Sequence, residues 1–134
     1  MKRVNKKLIL IKEEFDLLKG YIKSLMKTNS AERKSAEQLA EEFNNDPVLV
    51  NKADFPEDGI CINSNVTIED ISNGRQYKFK IVLPGEANLS KGKVSIFAPI
   101  GTAVIGYRKG EAVTWQMPAG QKDFKIVDVM NAAI

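Results

Sequence analysis

A change in hydrophobic period is the feature of this sequence that most constrains its fold. Apolar residues in the first third recur in steps of three and four, the seam of a helix packed on another helix. These residues are Leu8, Ile11, Phe15, Leu18, Ile22 and Leu25. From residue 60 onward, short segments instead alternate apolar and polar residues, which is typical of β-strands. The chain must therefore combine a helical segment with a sheet.

A second helical seam follows the first after a short polar turn. It consists of Ala36, Leu39 and Phe43. Asn29 and Glu32 have the spacing of a capping box, which predicts the start of this second helix. Two seams joined by a short turn predict an antiparallel helical hairpin, a short coiled coil, over residues 1–45.

The first seam is longer than the second, so its beginning has no partner within the hairpin. Leu8 and Ile11 are the residues left over. Apolar side chains of this size are buried in most folds, so they must pack against another surface. We expect that surface to be the following domain or a second copy of the chain in a weak dimer through helix one.

The rest of the chain reads as a linker and a sheet domain. Residues 46–59 contain two prolines and four acidic residues, which predicts a linker before a domain over residues 60–134. Five strands are predicted, over residues 65–70, 76–83, 93–97, 112–116 and 123–130. Asn73-Gly74 predicts a hairpin between the first two. Pro99 and Gly106 bracket about two turns of helix. The predicted class is α+β: a helical hairpin followed by an antiparallel five-stranded sheet with one short helix.

Composition excludes several kinds of catalysis. The 134 residues include no histidine and one cysteine, Cys61, so Ser–His and Cys–His pairs, the usual zinc sites and an internal disulfide are excluded. Three acidic pairs, Glu41-Glu42, Glu57-Asp58 and Glu69-Asp70, are sequence neighbours. Neighbouring side chains point in different directions on a helix or a strand, so these pairs do not form acid–base dyads. We predict no catalytic residue, no metal site and no cofactor.

Charge is weakly positive and concentrated at the N-terminal end. Residues 1–45 contain ten Lys or Arg against seven Asp or Glu, whereas residues 46–134 contain ten of each, which gives the net +3. The basic residues are interleaved with acidic ones, which favours a solvated helix flank over a nucleic-acid site. The apolar run Leu8–Ile11 is too short for a signal-peptide core or a membrane span. We expect a cytoplasmic protein with no membrane contact.

The segment from Asn65 onward resembles the C-terminal domain of the GreA/GreB transcript-cleavage factors. The matching runs, in order, are IVLPGEAN (81–88), KVSIFAPIGTAVIGYRKGE (93–111), VTWQMPAG (113–120) and FKIVDV (124–129). The resemblance implies a fold like that of the FK506-binding proteins (FKBP-like). It also implies docking on RNA polymerase at the rim of its secondary channel, with nucleic acid contacted only through the polymerase. The short hairpin and Ala98-Pro99, where cleavage factors have Ser-Pro, are similar to the smaller regulator of nucleoside diphosphate kinase (Rnk) subgroup.

The resemblance also implies where a partner would bind. The strand-to-helix turn of the family contacts the polymerase, and its counterpart here is Ala98, Pro99, Ile100 and Gly101. Thr102 and the loop Tyr107, Arg108 and Lys109 are further interface candidates. The second candidate region is the hairpin tip, with Asn29, Ser30, Glu32 and Arg33.

The hairpin tip differs from that of the cleavage factors, which carry two acidic residues that help hold a metal ion in the polymerase. Glu32 is the one carboxylate here, and it lies among the cations Lys27, Arg33 and Lys34. A cationic tip opposes recruitment of a divalent ion, because such ions require anionic oxygen ligands. We therefore predict no stimulation of transcript cleavage and possible competition with Gre factors.

Two other functions remain open from the sequence. An FKBP-like fold allows a prolyl isomerase, whose apolar pocket would have to be lined by Phe79, Phe97, Tyr107, Trp115 and Phe124. The unmatched seam of helix one allows a self-associating interaction module.

Overall fold

The computed structural model describes residues 8–117 and 120–131. The basic residues at positions 2, 3, 6 and 7 and the turn at 118–119 lie outside the described residues. The helices are α1 (Lys12–Leu25), α2 (Glu32–Phe43) and α3 (Pro99–Val104). The strands are β1 (Ile9–Ile11), β2 (Val48–Val50), β3 (Asn65–Asp70), β4 (Gln76–Val82), β5 (Lys93–Ser95), β6 (Ala112–Met117) and β7 (Gly120–Met130). The predicted α+β class is confirmed, with a helical hairpin before a five-stranded sheet.

The larger sheet has the strand order β5-β4-β3-β7-β6 and is mixed. Three of its four strand pairs are antiparallel, but β4 and β5 are parallel, with Lys80 opposite Lys93. The expectation of a wholly antiparallel sheet is wrong at this edge. The reason is the connection: two short 3₁₀ turns, Pro84–Glu86 and Leu89–Lys91, carry the chain back before β5 starts. A parallel neighbour requires such a return crossing.

The predicted hairpin between β3 and β4 is present. Gly74 has the left-handed φ of 73° that the turn needs, and its N–H donates to the Asp70 carbonyl at 2.8 Å. The side chain of Asp70 accepts from the backbone N–H and the hydroxyl of Ser72, at 2.9 and 2.6 Å. The turn is therefore a five-residue connection, residues 71–75, stabilised by an Asp side chain and longer than the two-residue form of Asn-Gly turns.

The start of helix one differs from the sequence prediction. Residues 9–11, assigned to the helical seam, form β1, and α1 begins at Lys12. β1 pairs in parallel with β2, which lies inside the predicted linker over residues 46–59. Leu8, Leu10 and Ile11 are all at least 97% buried, and a single helix face cannot bury three residues so spaced. The domain boundaries 1–45, 46–59 and 60–134 remain a prediction.

The helical hairpin and the sheet share one hydrophobic core. Leu18 and Leu39 from the two helices lie in the same buried cluster as Ile81 and Phe97 from the sheet domain. The rings of Tyr21 on α1 and Phe97 are 6.1 Å apart. Leu8, expected to lack a partner, packs so closely on Gly106 that a Cβ there would lie 2.9 Å from the Leu8 Cβ. Leu8 is thus covered by the following domain, one of the two surfaces expected for it, and Ile11 pairs with Val50 and is 3% exposed. The dimer through helix one stays a prediction.

No helix among the described residues is long and apolar enough to cross a bilayer.

Candidate functional site

The turn that enters α3 is a small surface built on backbone hydrogen bonds. The Ala98 N–H donates to the Ser95 carbonyl at 2.9 Å, and the Thr102 N–H donates to the Ala98 carbonyl at 3.0 Å. Pro99 occupies the first helical turn, where its missing N–H costs nothing. Pro99 is exposed, and Ala98 and Ile100 are half-buried. These three residues are the accessible part of the predicted interface.

Two residues predicted to bind a partner at this turn are instead buried. A Cβ on Gly101 would lie 2.4 Å from the Ser95 carbonyl oxygen, so only glycine allows α3 to approach the preceding strand this closely. Thr102 is 2% exposed, and its hydroxyl donates to the Ile96 carbonyl at 2.8 Å. Neither residue is accessible to a partner, so neither belongs to the candidate contact surface. They position the turn.

The predicted basic loop after α3 likewise contains both buried and exposed residues. Tyr107 is 5% exposed and belongs to the core, so it is not accessible to a partner either. Arg108 and Lys109 are exposed. The Arg108 guanidinium donates to the Asp58 carboxylate at 2.8 Å, and the Lys109 ammonium lies 3.7 Å from Asp128. This loop therefore holds residues 58–59 against β7 while keeping two cations at the surface.

The hairpin tip presents Asn29, Ser30 and Arg33 to solvent. The predicted capping box is absent, because α2 starts two residues later than that box predicts, at Glu32, with Ala31 as an N-cap that makes no side-chain bond. Glu32 instead accepts a hydrogen bond from the Ser95 hydroxyl at 3.2 Å. Arg33 donates to Glu37 at 3.1 Å and to the Thr28 carbonyl at 3.2 Å.

The structure thus brings the hairpin tip next to the turn that enters α3. Ser95, three residues before Ala98, connects them. Its hydroxyl donates to Glu32 and accepts from the Phe97 N–H at 3.0 Å. No local pattern in the sequence predicts this contact, because residues 32 and 95 lie in different predicted domains. We call the surface formed by Asn29, Ser30, Arg33, Ala98, Pro99 and Ile100 the tip–turn surface.

Cys61, Glu14 and Asp70 have pKa values that depart from the ordinary ones, and each shift has a local cause. Burial raises the pKa of the Cys61 thiol to about 11, against a weaker opposing effect of its hydrogen bond with Ser64. Burial likewise raises the pKa of Glu14, which accepts from the Ile62 N–H at 3.0 Å. The hydrogen bonds from Ser72 and Lys122 lower the pKa of Asp70. Glu14 lies close to Cys61, because it binds the N–H of the next residue, Ile62. The described residues nevertheless contain no cluster of three His, Cys, Asp or Glu able to hold a metal.

Most of the aromatic residues considered for an isomerase pocket are packed in the core. Phe97, Tyr107 and Phe124 are 0%, 5% and 2% exposed. Trp115 packs on Phe124 with ring centres 5.6 Å apart. Phe97, Tyr107 and Phe124 belong to the hydrophobic core and Trp115 packs against it, so these rings stabilise the fold.

Comparison with known proteins assigns this α+β chain to a family. Residues 55–131 match the family model described as transcription elongation factor, GreA/GreB, C-terminal. That match covers more than half of the 134 residues. The chain belongs to the GreA/GreB family.

The sequence relatives are longer proteins. Transcription elongation factor GreA from Syntrophus aciditrophicus is 36% identical over 92 residues, which are 66% of this chain and 57% of that protein. GreA from Pelobacter propionicus is 32% identical over 81 residues, 60% of this chain and 51% of that protein. The chain thus matches a little over half the length of these relatives.

Solved structures agree on the fold. A GreA/GreB protein from Nitrosomonas europaea superposes with a TM-score of 0.75, over 95% of this chain and all of that one, at 23% identity. Gfh1 of Thermus aquaticus superposes with a TM-score of 0.53, over 93% and 99% of the two chains, at 21% identity.

Proposed function

We propose that this chain is a transcription regulator that binds RNA polymerase near its secondary channel through the tip–turn surface and does not stimulate transcript cleavage. Family membership supports the polymerase as partner. The observation that carries the rest is the hydrogen bond between Glu32 and Ser95, which keeps the hairpin tip against the sheet domain. The protein would act in the cytoplasm as a binding factor without catalysis of its own.

The contacts of the hairpin support the absence of cleavage. A factor that inserts a catalytic tip into a channel needs the tip to extend from its docking domain. Here the hairpin touches that domain near the start of α1, where Glu14 binds the Ile62 N–H, and at its tip, where Glu32 binds Ser95. The one tip carboxylate is thereby engaged, and Arg33 and Lys34 beside it are exposed cations. Neither the geometry nor the charge suits metal delivery.

The chemistry of the turn supports it as the docking point. Pro99 and its half-buried neighbours Ala98 and Ile100 form a rigid apolar surface that requires little ordering on binding. Alanine in place of the serine of cleavage factors and the small overall size support assignment to the smaller Rnk-like subgroup. We further propose that the chain competes with Gre factors for this site.

Polymerase binding is tested by co-purification of the tagged full chain with bacterial RNA polymerase. Pro99→Glu places a charge on the turn at a helix position that accepts Glu, so the fold is retained. We expect at least a tenfold loss of bound polymerase. Ile71→Glu is the matched control, because it adds the same charge at an exposed apolar position in the β3–β4 turn and should bind normally. Equal recovery with Pro99→Glu and wild type would refute docking through the turn.

The non-cleaving role needs a second assay. Backtracked elongation complexes incubated with this chain alone should retain their transcripts, and added excess chain should slow cleavage stimulated by GreA. Cleavage above the level of polymerase alone would refute this part of the proposal.

A further inference from the structure

The outer face of the larger sheet carries a cluster of lysines that the proposed function does not use. Lys78 and Lys80 are on β4, Lys93 is opposite Lys80 on β5, and Lys91 belongs to the preceding 3₁₀ turn. All four line one groove of about 340 Å³. The Lys80 N–H donates to the Gly92 carbonyl at 2.8 Å, which fixes the segment 91–93 beside β4. We call these four residues the lysine face.

The lysines lie close enough to repel one another. Residues two apart on a strand are roughly 6.5 Å apart and adjacent strands about 4.8 Å, so neighbouring ammonium groups lie within a Debye length at physiological salt. Among the other described cations, five have a carboxylate partner, namely Lys19, Arg33, Arg108, Lys109 and Lys122. The exposed hairpin lysines Lys12, Lys23, Lys27 and Lys34 have no such partner among the described residues, but they are spread over two helices and the turn between them. Within residues 8–117 and 120–131, none of the four lysines of the lysine face makes an ion pair. An anion bound there would relieve their repulsion.

Carboxylates near the groove do not neutralise it. Asp128 lines the groove, but its charge is shared with Lys109, 3.7 Å away. Glu69 lies farther along β3 and accepts from the Gln76 amide at 3.2 Å. The groove therefore keeps a positive charge of several units.

The other lining residues indicate which anion fits. Asn65 and Thr67 stand opposite Lys80 and Lys78 on β3, and their amide and hydroxyl can donate to phosphate or sugar oxygens. Phe79 is half-buried against the core on the other side of the sheet, so it is not available for base stacking. Among the lining residues Met130 is the exposed apolar one, which is a poor anchor for a protein partner.

We propose that the lysine face binds the phosphate backbone of a nucleic-acid duplex without reading its sequence. Lysine ammonium groups held on adjacent strands match a row of phosphates, and phosphate contacts carry no base information. This goes beyond the proposed docking on polymerase and replaces the expectation of purely indirect nucleic-acid contact. A chain held on polymerase by its turn would present this face as a second, electrostatic contact.

The test measures fluorescence anisotropy of a labelled 20-base-pair DNA duplex with the full chain at 50 to 200 mM salt. Four neutralised phosphates predict a slope of log K against log salt of about −3 to −4. Replacing Lys78, Lys80, Lys91 and Lys93 together by Gln should weaken binding at least about tenfold at low salt and flatten the slope. The corresponding Lys→Arg variant should retain binding, and circular dichroism melts verify that both variants fold.

A matched control removes the same charge from the hairpin, by Gln at the exposed residues Lys12, Lys23, Lys27 and Lys34. It should leave duplex binding within about twofold. An equal loss in the control, or no loss in the lysine-face variant, overturns the proposal. So does displacement by poly-glutamate at lower charge concentration than the duplex, which would indicate an acidic protein, or tighter binding of a single strand.

Pro99→Glu should bind the duplex normally, so this proposal and the polymerase proposal fail separately.

Discussion

The helical hairpin and the five-stranded domain are stabilised in different ways, and the difference indicates which depends on the other. The sheet domain has continuous ladders, with six register pairs between β6 and β7 alone. The two hairpin helices have no side-chain N-cap, and α1 contains Gly20 in its interior. Isolated helices of 14 and 12 residues are marginal in water. The hairpin is thus stable because it packs on the sheet domain.

The largest effect is expected from a cavity in the core that the hairpin and the sheet domain share. Leu39→Ala removes a fully buried side chain of α2 from the shared core. It should cost about 2–5 kcal/mol of unfolding free energy and leave one cooperative transition. Urea unfolding followed by both helical circular dichroism and Trp115 fluorescence measures it. Leu17→Ala, at a 45% exposed position of α1, is the control and should cost less than about 0.5 kcal/mol. Two separate transitions would mean that the hairpin is an independent arm.

The same Gly→Ala change should lower the unfolding free energy at the turn that enters α3 and raise it in the helical hairpin. At Gly101 the added Cβ would lie 2.4 Å from the Ser95 carbonyl, so α3 must shift, at a cost of about 1–3 kcal/mol. At Gly20 no atom lies within 4 Å of the added Cβ, and the helix gains about 0.5–1 kcal/mol. Urea midpoints compare the two variants. Equal effects would show that the turn tolerates displacement, which would weaken the proposal that it is a rigid docking surface.

Acid should affect the sheet domain through Asp70. Hydrogen bonds from Ser72 and Lys122 lower the pKa of this carboxyl, so the folded state holds the charged form more strongly than the unfolded chain does. The contribution of Asp70 to folding stability is complete above the ordinary pKa of 3.8. It is lost as the pH falls through the lower pKa that this carboxyl has in the folded state. Asp70→Asn should be less stable than wild type at pH 6 and should lose less stability below pH 4. Parallel curves of urea midpoint against pH for the two proteins would contradict this.

The smallest expected effect is at the contact between the two regions. Glu32→Ala removes the acceptor, and Ser95→Ala the donor, of a hydrogen bond of 3.2 Å that is partly open to solvent. A double-mutant cycle should give a coupling of about 0.5–1 kcal/mol. Zero coupling would show that packing alone holds the tip in place. The same variants in the polymerase co-purification test whether the tip belongs to the docking surface.

Local signals in the sequence account for much of the fold. Residues 65–70 and the hairpin after them follow from alternation and Asn73-Gly74, and α3 follows from Pro99 and Gly106. The strand over residues 9–11 was missed because a run of four apolar residues fits a helix seam as well as a buried strand. Its partner lies near residue 48, and no local pattern encodes a pairing at that distance.

The site was harder to predict than the fold. The turn at Ala98 and Pro99 was identified from its resemblance to a family, but accessibility depends on packing, and three of the eight proposed turn and loop contacts are buried. The approach of Glu32 to Ser95 depends on how the hairpin packs on the sheet, which no single element specifies. The lysine face requires the β4–β5 register, because Lys80 and Lys93 are separated by a crossover in sequence and adjacent in space.

The pairing of β1 with β2 has a consequence for motion. These strands lie at the two ends of the helical hairpin, and Ile9 pairs with Val48, so residues 9–48 form a loop tied at its base. A hairpin attached by one flexible segment could swing about it as a hinge. A hairpin attached through two paired strands, one of them anchored by Leu8 against Gly106, can move only if that base opens. The partner would therefore meet a surface whose shape is set before binding.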